Sequence, residues 1–391
     1  MNDIYFDNSA TTALSAEARR KMAEAMDCYG NPSSLHKYGV DAGKLLREAR
    51  ESILLALGVR STTMGALVFT SCGTEATNLA LIGSAHAKAR RTANKIVITD
   101  SEHPSVENTA RELEKDGFEI VRVPTKGGML DEEFLSQVLD KNVFLISLML
   151  VNNETGARYA VEKAFRLAKT RNPDVITHCD AVQGFLKCKF TPMSLGADLI
   201  TLSAHKIHGP KGVGALYIDK KLLTKRAIVT TMPGGGQENG LRSGTENMIG
   251  IAGFGAAAKA GAQTFNEDLA HLTALREYAI ERLSALEVRI NRPMGETAPH
   301  IINLTLPDIR SETMLHFLSS KGIYVSAGSA CSSHDAHPSS ALLAFGISAE
   351  EAGHSIRVSF AHTNTTEEID RFTESLDEGL RTLVRVHRGK R

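Results

Sequence analysis

The chain has 391 residues, of which 42% are hydrophobic, so it can bury one large core or two moderate ones, and its length favours two domains. Its 45 acidic and 45 basic residues balance, which excludes a strong electrostatic attraction to nucleic acid or to an anionic membrane. Five scattered cysteines, no visible secretory signal and no apolar stretch long enough to span a bilayer predict a soluble cytoplasmic protein.

The first part of the chain is predicted to be an extended segment followed by two helices. Residues 5–12 form the extended segment and end in small polar residues. Ser15 is a suitable N-cap for an amphipathic helix through about Met26, and a second helix is predicted from about Gly39 to Leu57. The loop between them, residues 30–36, is dense in turn formers and contains Asn31.

Strands and helices then alternate along the chain. Apolar strands are predicted at residues 67–70, 95–99, 119–123 and 143–151, and further apolar runs begin at residues 175 and 199. Nearly continuous apolar strands separated by helical segments indicate an α/β fold with a mostly parallel sheet covered by helices on both faces.

The carboxyl third is predicted to form a second, smaller α+β unit. A glycine-rich loop at residues 232–247 precedes an alanine- and glycine-rich helix, and a separate long polar helix from about Asn266 to Leu286 forms the bridge. The segment Ala298 to Leu306 alternates like a half-buried strand. We therefore expect a large domain at 15–262 and a small domain formed by 1–14 and 263–391.

Most of the predicted strands end in polar side chains. These are Thr74, His103, Asn153, Asp180 with Gln183, and the run from Ser203 to Lys206. In parallel sheets the ligand crevice lies at the carboxyl ends of the strands, so these residues are expected to meet. The turn at residues 71–80 also begins a helix, whose free N–H groups suit a phosphate, although its glycine spacing is not that of a nucleotide-binding loop.

The chemistry of this set fits pyridoxal phosphate. Lys206 is suited to a Schiff base with the aldehyde, and Asp180 to holding the ring nitrogen protonated. The remaining candidates are His103 to stack on the ring, Gln183 to donate to the ring oxygen, and Thr74, Ser203 and His205 to hold the phosphate. Taken singly, Lys206 is also compatible with a surface turn, His103 with a helix cap and Asp180 with an N-cap.

Motifs along nearly the whole chain resemble the cysteine desulfurases of the NifS and iron–sulfur-cluster-assembly type, within the class V aminotransferases of fold-type I. The motifs lie at residues 6–12, 31–34, 73–75, 102–103, 152–156, 180–183, 203–206, 242–245, 328–332 and 357–359. The resemblance implies the cofactor roles just given and adds Gly73 to the cofactor site. It also implies that Asn31, Asn153 and Arg357 hold the substrate, and that Thr245 reaches the phosphate of the other subunit in a homodimer.

The resemblance further implies that Cys331 is the catalytic cysteine, with Lys206 and His103 handling protons. L-cysteine would give L-alanine and a persulfide on Cys331, whose sulfur passes to an acceptor such as an iron–sulfur scaffold or a tRNA-thiolation enzyme. His334 and His337 follow at metal-ligand spacing, but we expect solvated loop histidines and no metal site. The remaining cysteines, Cys28, Cys72, Cys179 and Cys188, are predicted to be structural or incidental.

Two other functions stay open from the sequence. One is a different pyridoxal-phosphate reaction of the same group, such as transamination or selenocysteine lysis, in which Cys331 is dispensable or only tunes the reaction. The other is a non-catalytic sulfur-transfer scaffold, against which Lys206 and Asp180 argue. The chain also departs from the family pattern, with Cys72 in place of a glycine, Asn239 in place of an arginine, and Phe360-Ala361-His362 after Arg357.

Overall fold

The computed structural model describes residues 3–61, 63–87, 92–327 and 338–385. The strands of these residues are β1 (Ile4–Tyr5), β2 (Gly65–Thr70), β3 (Lys95–Thr99), β4 (Glu119–Val123), β5 (Val143–Met149), β6 (Ile176–Asp180), β7 (Leu199–Ser203), β8 (Gly214–Asp219), β9 (Arg289–Ile290), β10 (Ile301–Thr305), β11 (Ile323–Tyr324), β12 (Ser326–Ala327) and β13 (Ser355–Ser359).

The α-helices of the same residues follow in chain order. They are α1 (Ala16–Asp27), α2 (Lys37–Ala56), α3 (Gly73–Ala85), α4 (Pro104–Lys115), α5 (Glu132–Val138), α6 (Val161–Arg171), α7 (Pro192–Leu195), α8 (Lys220–Lys225), α9 (Met248–Ser284), α10 (Ser311–Ser320), α11 (Ser340–Phe345), α12 (Ala349–Ala352) and α13 (Thr366–Thr382). None of the helices in the described part of the chain is long and apolar enough to cross a membrane.

The large sheet confirms the predicted α/β class. Its strand order is β2-β8-β7-β6-β5-β3-β4, and β8 alone among these strands runs antiparallel to its neighbours. Every residue of β5, β6 and β7 is buried. Separate apolar clusters cover the two faces of the sheet, so its strand ends are the places where polar groups can gather.

The second unit is built on a four-stranded antiparallel sheet of order β12-β13-β10-β9, with its own apolar core. Residues near the amino terminus join this core. The Phe6 ring packs edge-on against Phe360 and Phe372, at centroid distances of 5.2 and 5.8 Å. Burial of one such ring contributes about 1.5–3 kcal/mol, so these contacts hold the first strand against the carboxyl-terminal unit.

Two sequence expectations were wrong in this region. The alanine-rich helix and the polar bridging helix are one helix, α9, which continues through Gly261 at the expected break, and Thr264 hydrogen-bonds Asp268 one turn on. The expected half-buried strand is β10, which is buried at all five positions. Its polar side chains are covered: Asn303 donates to the Glu154 carbonyl and accepts from Asn291.

Candidate active site

The parallel strands bring the predicted polar clusters to one edge of the large sheet. Strands β7, β6, β5 and β3 are consecutive neighbours, and their carboxyl ends carry Ser203, Asp180, Met149 and Thr99. The loops that follow β3 and β7 contain His103 and Lys206 respectively. The structure therefore gathers the candidates for ring and aldehyde binding at the place where a ligand crevice is expected.

Lys206 ends a short 3₁₀ turn, Ala204–Lys206, directly after β7. Its Nζ donates to the carbonyls of Ser9 and Ala10 at 2.5 and 2.8 Å. The adjoining backbone is fixed as well, because Thr12 donates its N–H to the His205 carbonyl. The amino-terminal segment thus folds over the strand end and holds the lysine amine in one place, within the protein rather than in a surface turn.

His103 is both a helix cap and a member of the site. Its Nδ1 accepts the backbone N–H of Ser105 at 3.1 Å and lies 2.8 Å from the Ser105 hydroxyl, so it caps α4. Burial lowers the pKa of His103, although Asp180 acts to raise it and Lys206 to lower it further. A neutral imidazole held in this way leaves Nε2 for a ligand.

Asp180 is buried at the end of β6 and accepts the N–H of Val182 at 3.0 Å. Burial raises its pKa, and the positive charges of His103 and Lys206 act in the opposite direction. A turn rather than a helix follows Asp180, so the N-cap alternative was wrong, and the bond to Val182 occupies one oxygen of the carboxylate. A cation beside the other oxygen would stabilise the charged form.

Gln183 is held on both sides of its amide. Its Nε2 donates to the Ser9 carbonyl at 2.9 Å, and its Oε1 lies 3.3 Å from His300 Nε2. Burial lowers the pKa of His300 well below its usual value, so the ring is neutral and its Nε2–H is the donor. Gln183 therefore has a fixed orientation beside the backbone that also binds Lys206.

The residues predicted to hold the phosphate fit an anionic group. Helix α3 begins at Gly73 without a side-chain cap, so its first N–H groups are not satisfied by the Cys72 side chain. The hydroxyl of Ser203 is buried and lacks a hydrogen-bond partner. A Cβ at Gly73 would lie 3.5 Å from Ser203 Cβ and 3.2 Å from Val182, so glycine keeps this space open. An unpartnered hydroxyl facing an uncapped helix start suits the phosphate of pyridoxal phosphate.

His205 lies beside this group, with Nδ1 3.3 Å from the Thr11 hydroxyl. Burial and the charges of Lys206, Lys187 and Lys211 lower its pKa to about 4, so it is a neutral donor at neutral pH. Thr74 is exposed in the first turn of α3. Thr74 thus lies at the start of α3, and His205 lies in the turn that follows Ser203.

Arg357 lies on β13 and connects the two units. Its Nη1 donates to the Asn153 carbonyl at 2.9 Å, its Nη2 donates to Asp7 at 2.8 Å, and its buried Nε has no partner among the described residues. Nearby, Glu154 accepts from Ser339 at 2.6 Å, and burial raises its pKa to about 7. Asn153 meets the arginine through its backbone carbonyl, so the pair predicted for the substrate is in contact.

Two predicted residues are not joined to this group, and a third is not among the described residues. Asn31 is exposed and accepts the N–H of Ser33 at 2.9 Å, and Thr245 is exposed in the glycine-rich loop. Cys331 lies outside the described residues, as do His334 and His337. Their predicted roles therefore stay predictions.

Sequence reasoning assigned no role to Glu102, although it belongs to a quoted motif. It is fully buried, and one oxygen accepts the Thr99 hydroxyl at 2.8 Å and the Met149 N–H at 3.0 Å. Burial raises its pKa to about 8, despite those hydrogen bonds. Glu102 thus ties the ends of β3 and β5 together below His103 and is neutral at pH 7.

Sequence reasoning also missed the buried Lys187 and the ion pair between Arg242 and Glu75. Arg242 Nε donates to Glu75 at 2.8 Å, which ties the glycine-rich loop to the first turn of α3. Two charged residues far apart in sequence give no local sign of such pairing, so this link required the structure.

The comparisons with known proteins agree with this geometry. The model of the aminotransferase class-V family matches residues 4–372. The chain is 38% identical over 389 residues to the cysteine desulfurase IscS of Dictyoglomus turgidum, covering 97% of this chain and 96% of that protein. Among solved structures, a NifS-like protein superposes with a TM-score of 0.89 at 36% identity, covering 97% of this chain and all of that one. SspA in complex with cysteine superposes with a TM-score of 0.79 at 29% identity, covering 93% of this chain and 100% of that one.

Proposed function

Since this chain belongs to the class-V aminotransferase family and is a cysteine desulfurase, we propose that it works with pyridoxal phosphate and holds the sulfur of L-cysteine on Cys331. The observation that carries the proposal is the meeting of Lys206, Asp180 and His103 at neighbouring strand ends, beside the uncapped start of α3. A lysine amine, a buried carboxylate and a flat neutral ring are the groups that this cofactor uses.

The cofactor would be held by residues at both of its ends. Ser203, His205, Gly73 and Thr74 would bind the phosphate, while Lys206, Asp180, Gln183 and His103 would bind the aldehyde and the ring. When bound, pyridoxal phosphate supplies an electron-withdrawing ring that allows the substrate to lose its α-proton.

Lys206 and His103 would move the protons of the reaction. Lys206 Nζ, once released from the Ser9 and Ala10 carbonyls, is the base for the α-proton of the substrate. His103 is neutral because of its burial, and its Nδ1 accepts the Ser105 N–H, so the ring proton is on Nε2, which can donate it and take it back. The capping bond at Nδ1 keeps the ring in one orientation during this exchange.

The substrate carboxylate would be bound by Arg357, whose Nε is buried without a partner. A guanidinium that already donates to Asn153 and Asp7 is fixed in position, so it offers a rigid donor to the carboxylate. Asn31 is proposed to complete this substrate site.

Sulfur transfer would take place at Cys331. Its thiolate attacks the sulfur of the substrate and breaks the carbon–sulfur bond, so L-cysteine and the enzyme thiol give L-alanine and an enzyme persulfide. An acceptor protein for iron–sulfur cluster assembly or tRNA thiolation would then take the terminal sulfur. We also propose a homodimer in which Thr245 reaches the partner's phosphate site; the cytoplasmic location stays a prediction.

The test is the release of sulfide and alanine from L-cysteine in the presence of dithiothreitol. We expect equal amounts of both products from the intact holoenzyme and almost none from Cys331→Ala, with Cys28→Ala as a matched control that retains activity. Alanine and sulfide that persist without Cys331 would point to a lyase, and a protein without visible cofactor absorbance would be a scaffold. Either result would contradict the proposal.

A further inference from the structure

A cavity of about 310 Å³ is lined in part by Lys206, and neither Asp180 nor His103 is among its lining residues. Its wall combines the end of the β7 loop, the middle of α9 and the segment after β13. Residues that line it include Leu186, Lys187, Ile207, Ala260, Phe360 and His362. This space, named here the Lys187 cavity, is large enough for a ligand of amino-acid size.

Lys187 is the unusual member of this wall. The residue is only 8% exposed, and its Nζ is buried without a hydrogen-bond partner. Burial of an ammonium without a counter-ion is unfavourable, and proteins normally pair such a group. A protonated Lys187 therefore requires a negatively charged partner, and none of the described residues supplies one.

Two carboxylates, Asp268 and Glu17, also line the cavity. Asp268 accepts a hydrogen bond from Thr264 at 2.6 Å, and Glu17 is exposed at the surface. The other charged groups nearby are positive or neutral, because Lys206 lines the same cavity and burial lowers the pKa of His208 to about 4. Among the described residues the amine of Lys187 has no partner, so it is the group with which an entering anion would pair.

Burial also lowers the pKa of Lys187 to about 7, and the charges of Lys206 and Arg357 act in the same direction. An anion beside Nζ would favour the protonated amine again. The amine is thus poised to gain a charge when a negative ligand arrives.

The rest of the lining selects the shape of that ligand. Leu186, Ile207 and Phe360 present apolar surface, and His208 and His362 close one side with their rings edge-to-face at 4.6 Å. One amine balances one negative charge, and no arginine lines the cavity among the described residues. A phosphate, with up to two charges and no apolar part, fits this lining poorly.

We propose that the Lys187 cavity binds a short-chain carboxylate, with the carboxylate paired to the buried Lys187 and the aliphatic chain against Leu186, Ile207 and Phe360. A free monocarboxylate and the L-alanine product share this chemistry. Because Lys206 lines the same cavity, occupancy places a negative charge beside the lysine of the active site. The site is separate from Arg357, which we assigned to the substrate carboxylate.

The experiment is calorimetric titration of the holoenzyme with sodium propionate, L-alanine, inorganic phosphate and propylammonium chloride. Lys187→Met removes the charge and keeps the stem, while Ala260→Leu fills the space without changing a charge. Lys189→Met is the matched control, because Lys189 is exposed two residues further on and does not line the cavity. We expect both cavity variants to weaken carboxylate binding at least tenfold and the control to leave it unchanged.

The two sources of carboxylate are distinguished by which titrant binds. Binding of propionate alone indicates a free monocarboxylate, and additional binding of L-alanine that survives Arg357→Gln indicates the product. Carboxylate binding that persists in both cavity variants and disappears in Arg357→Gln belongs to the substrate site and would overturn the proposal. Preference for phosphate or propylammonium, or no heat with millimolar carboxylate, would overturn it as well.

Discussion

Ser203 is a buried residue whose hydroxyl has no hydrogen-bond partner among the described residues. Its hydroxyl is inaccessible and unpaired among these residues, whereas Ser147, two strands away on β5, lies 2.7 Å from His178 Nδ1. An unpaired buried hydroxyl costs about 1–3 kcal/mol. An anion bound at this strand end would accept a hydrogen bond from the hydroxyl and so offset this cost.

We predict opposite effects for alanine at these two serines. Ser203→Ala removes a hydrogen bond to the bound phosphate, so the cofactor affinity of the apoprotein should fall by roughly tenfold or more, while its melting temperature does not fall. Ser147→Ala breaks a satisfied pair, so it should lower the melting temperature and leave cofactor affinity unchanged. Fluorescence titration with pyridoxal phosphate and thermal denaturation of the apoprotein measure the two quantities.

The result that would contradict this interpretation is a Ser203→Ala variant with unchanged cofactor affinity. The hydroxyl would then be a tolerated defect of the strand end, and the phosphate would have to be bound without it.

At the residue scale, the sequence predicted those groups whose chemistry is visible in the local pattern. Lys206, His103 and Asp180 each stand at a strand end, which a run of apolar residues reveals. Lys187 and Glu102 were not predicted, because full burial of a charged residue depends on segments distant in sequence. Asn31 and Thr245 were predicted from resemblance, and they are exposed in this single chain.

At the scale of elements, short strands were predicted well. The bounds of β3 and β4 agree with expectation, since each is a compact apolar run that ends at polar or turn residues. The Ser15 N-cap of α1 is confirmed, with its hydroxyl accepting from Ala18 at 3.1 Å. The strand β10 was misjudged because alternation does not reveal that its polar face is covered by the other unit.

Helix α9 was predicted as two helices because its amino-acid composition changes along its length, although its backbone is helical throughout. Its first half is rich in small residues and packs on α1 and α2, and its second half supplies Leu272, Leu275 and Leu283 to the small core. A helix of 37 residues is about 55 Å long, so one continuous element can serve both units. The predicted domain boundary at residue 262 lies within it.

Close packing of α9 against α2 gives a prediction for this element. A Cβ placed at Gly255 would lie 2.5 Å from the Cα and 2.7 Å from the Cβ of Ala49, distances that require the helices to separate. Gly255→Ala should therefore destabilise the protein by about 1–3 kcal/mol, despite the better helix propensity of alanine. The measurement is the urea midpoint of unfolding.

Lys259→Ala is the control for this change, because Lys259 is exposed on the same helix one turn further on. We expect its effect to stay within about 0.5 kcal/mol. Equal midpoints for Gly255→Ala and the wild type would show that the two helices have room to move apart.

At the scale of the whole molecule, one apolar surface has no cover in the single chain. It consists of Met26, Tyr29, Leu35, Tyr38 and Val40, on and between α1 and α2. Leu35 is 97% exposed and Tyr29 75%, and the rings of Tyr29 and Tyr38 stack at 5.2 Å. Contiguous apolar surface rich in tyrosine is typical of protein interfaces.

This surface adjoins the start of α9, which follows Thr245. Cys28, between Met26 and Tyr29, packs in one small cluster with Met248 and Ile249. A second copy that covered the apolar surface would therefore also approach the loop that carries Thr245. The proposed dimer and the proposed role of Thr245 across the interface depend on the same face of the molecule.

We predict that charge on this face dissociates the dimer. The double variant Leu35→Glu/Tyr38→Glu should have half the mass of the wild type in light scattering, because two carboxylates per copy would have to be buried unpaired. Its affinity for pyridoxal phosphate should fall at the same time, since the partner's Thr245 would no longer reach the phosphate site. Met193→Glu, at a methionine that is 81% exposed on α7, is the control and should change neither quantity. A variant that keeps both its mass and its cofactor affinity would place the interface elsewhere, and a variant that loses only mass would remove Thr245 from the cofactor site.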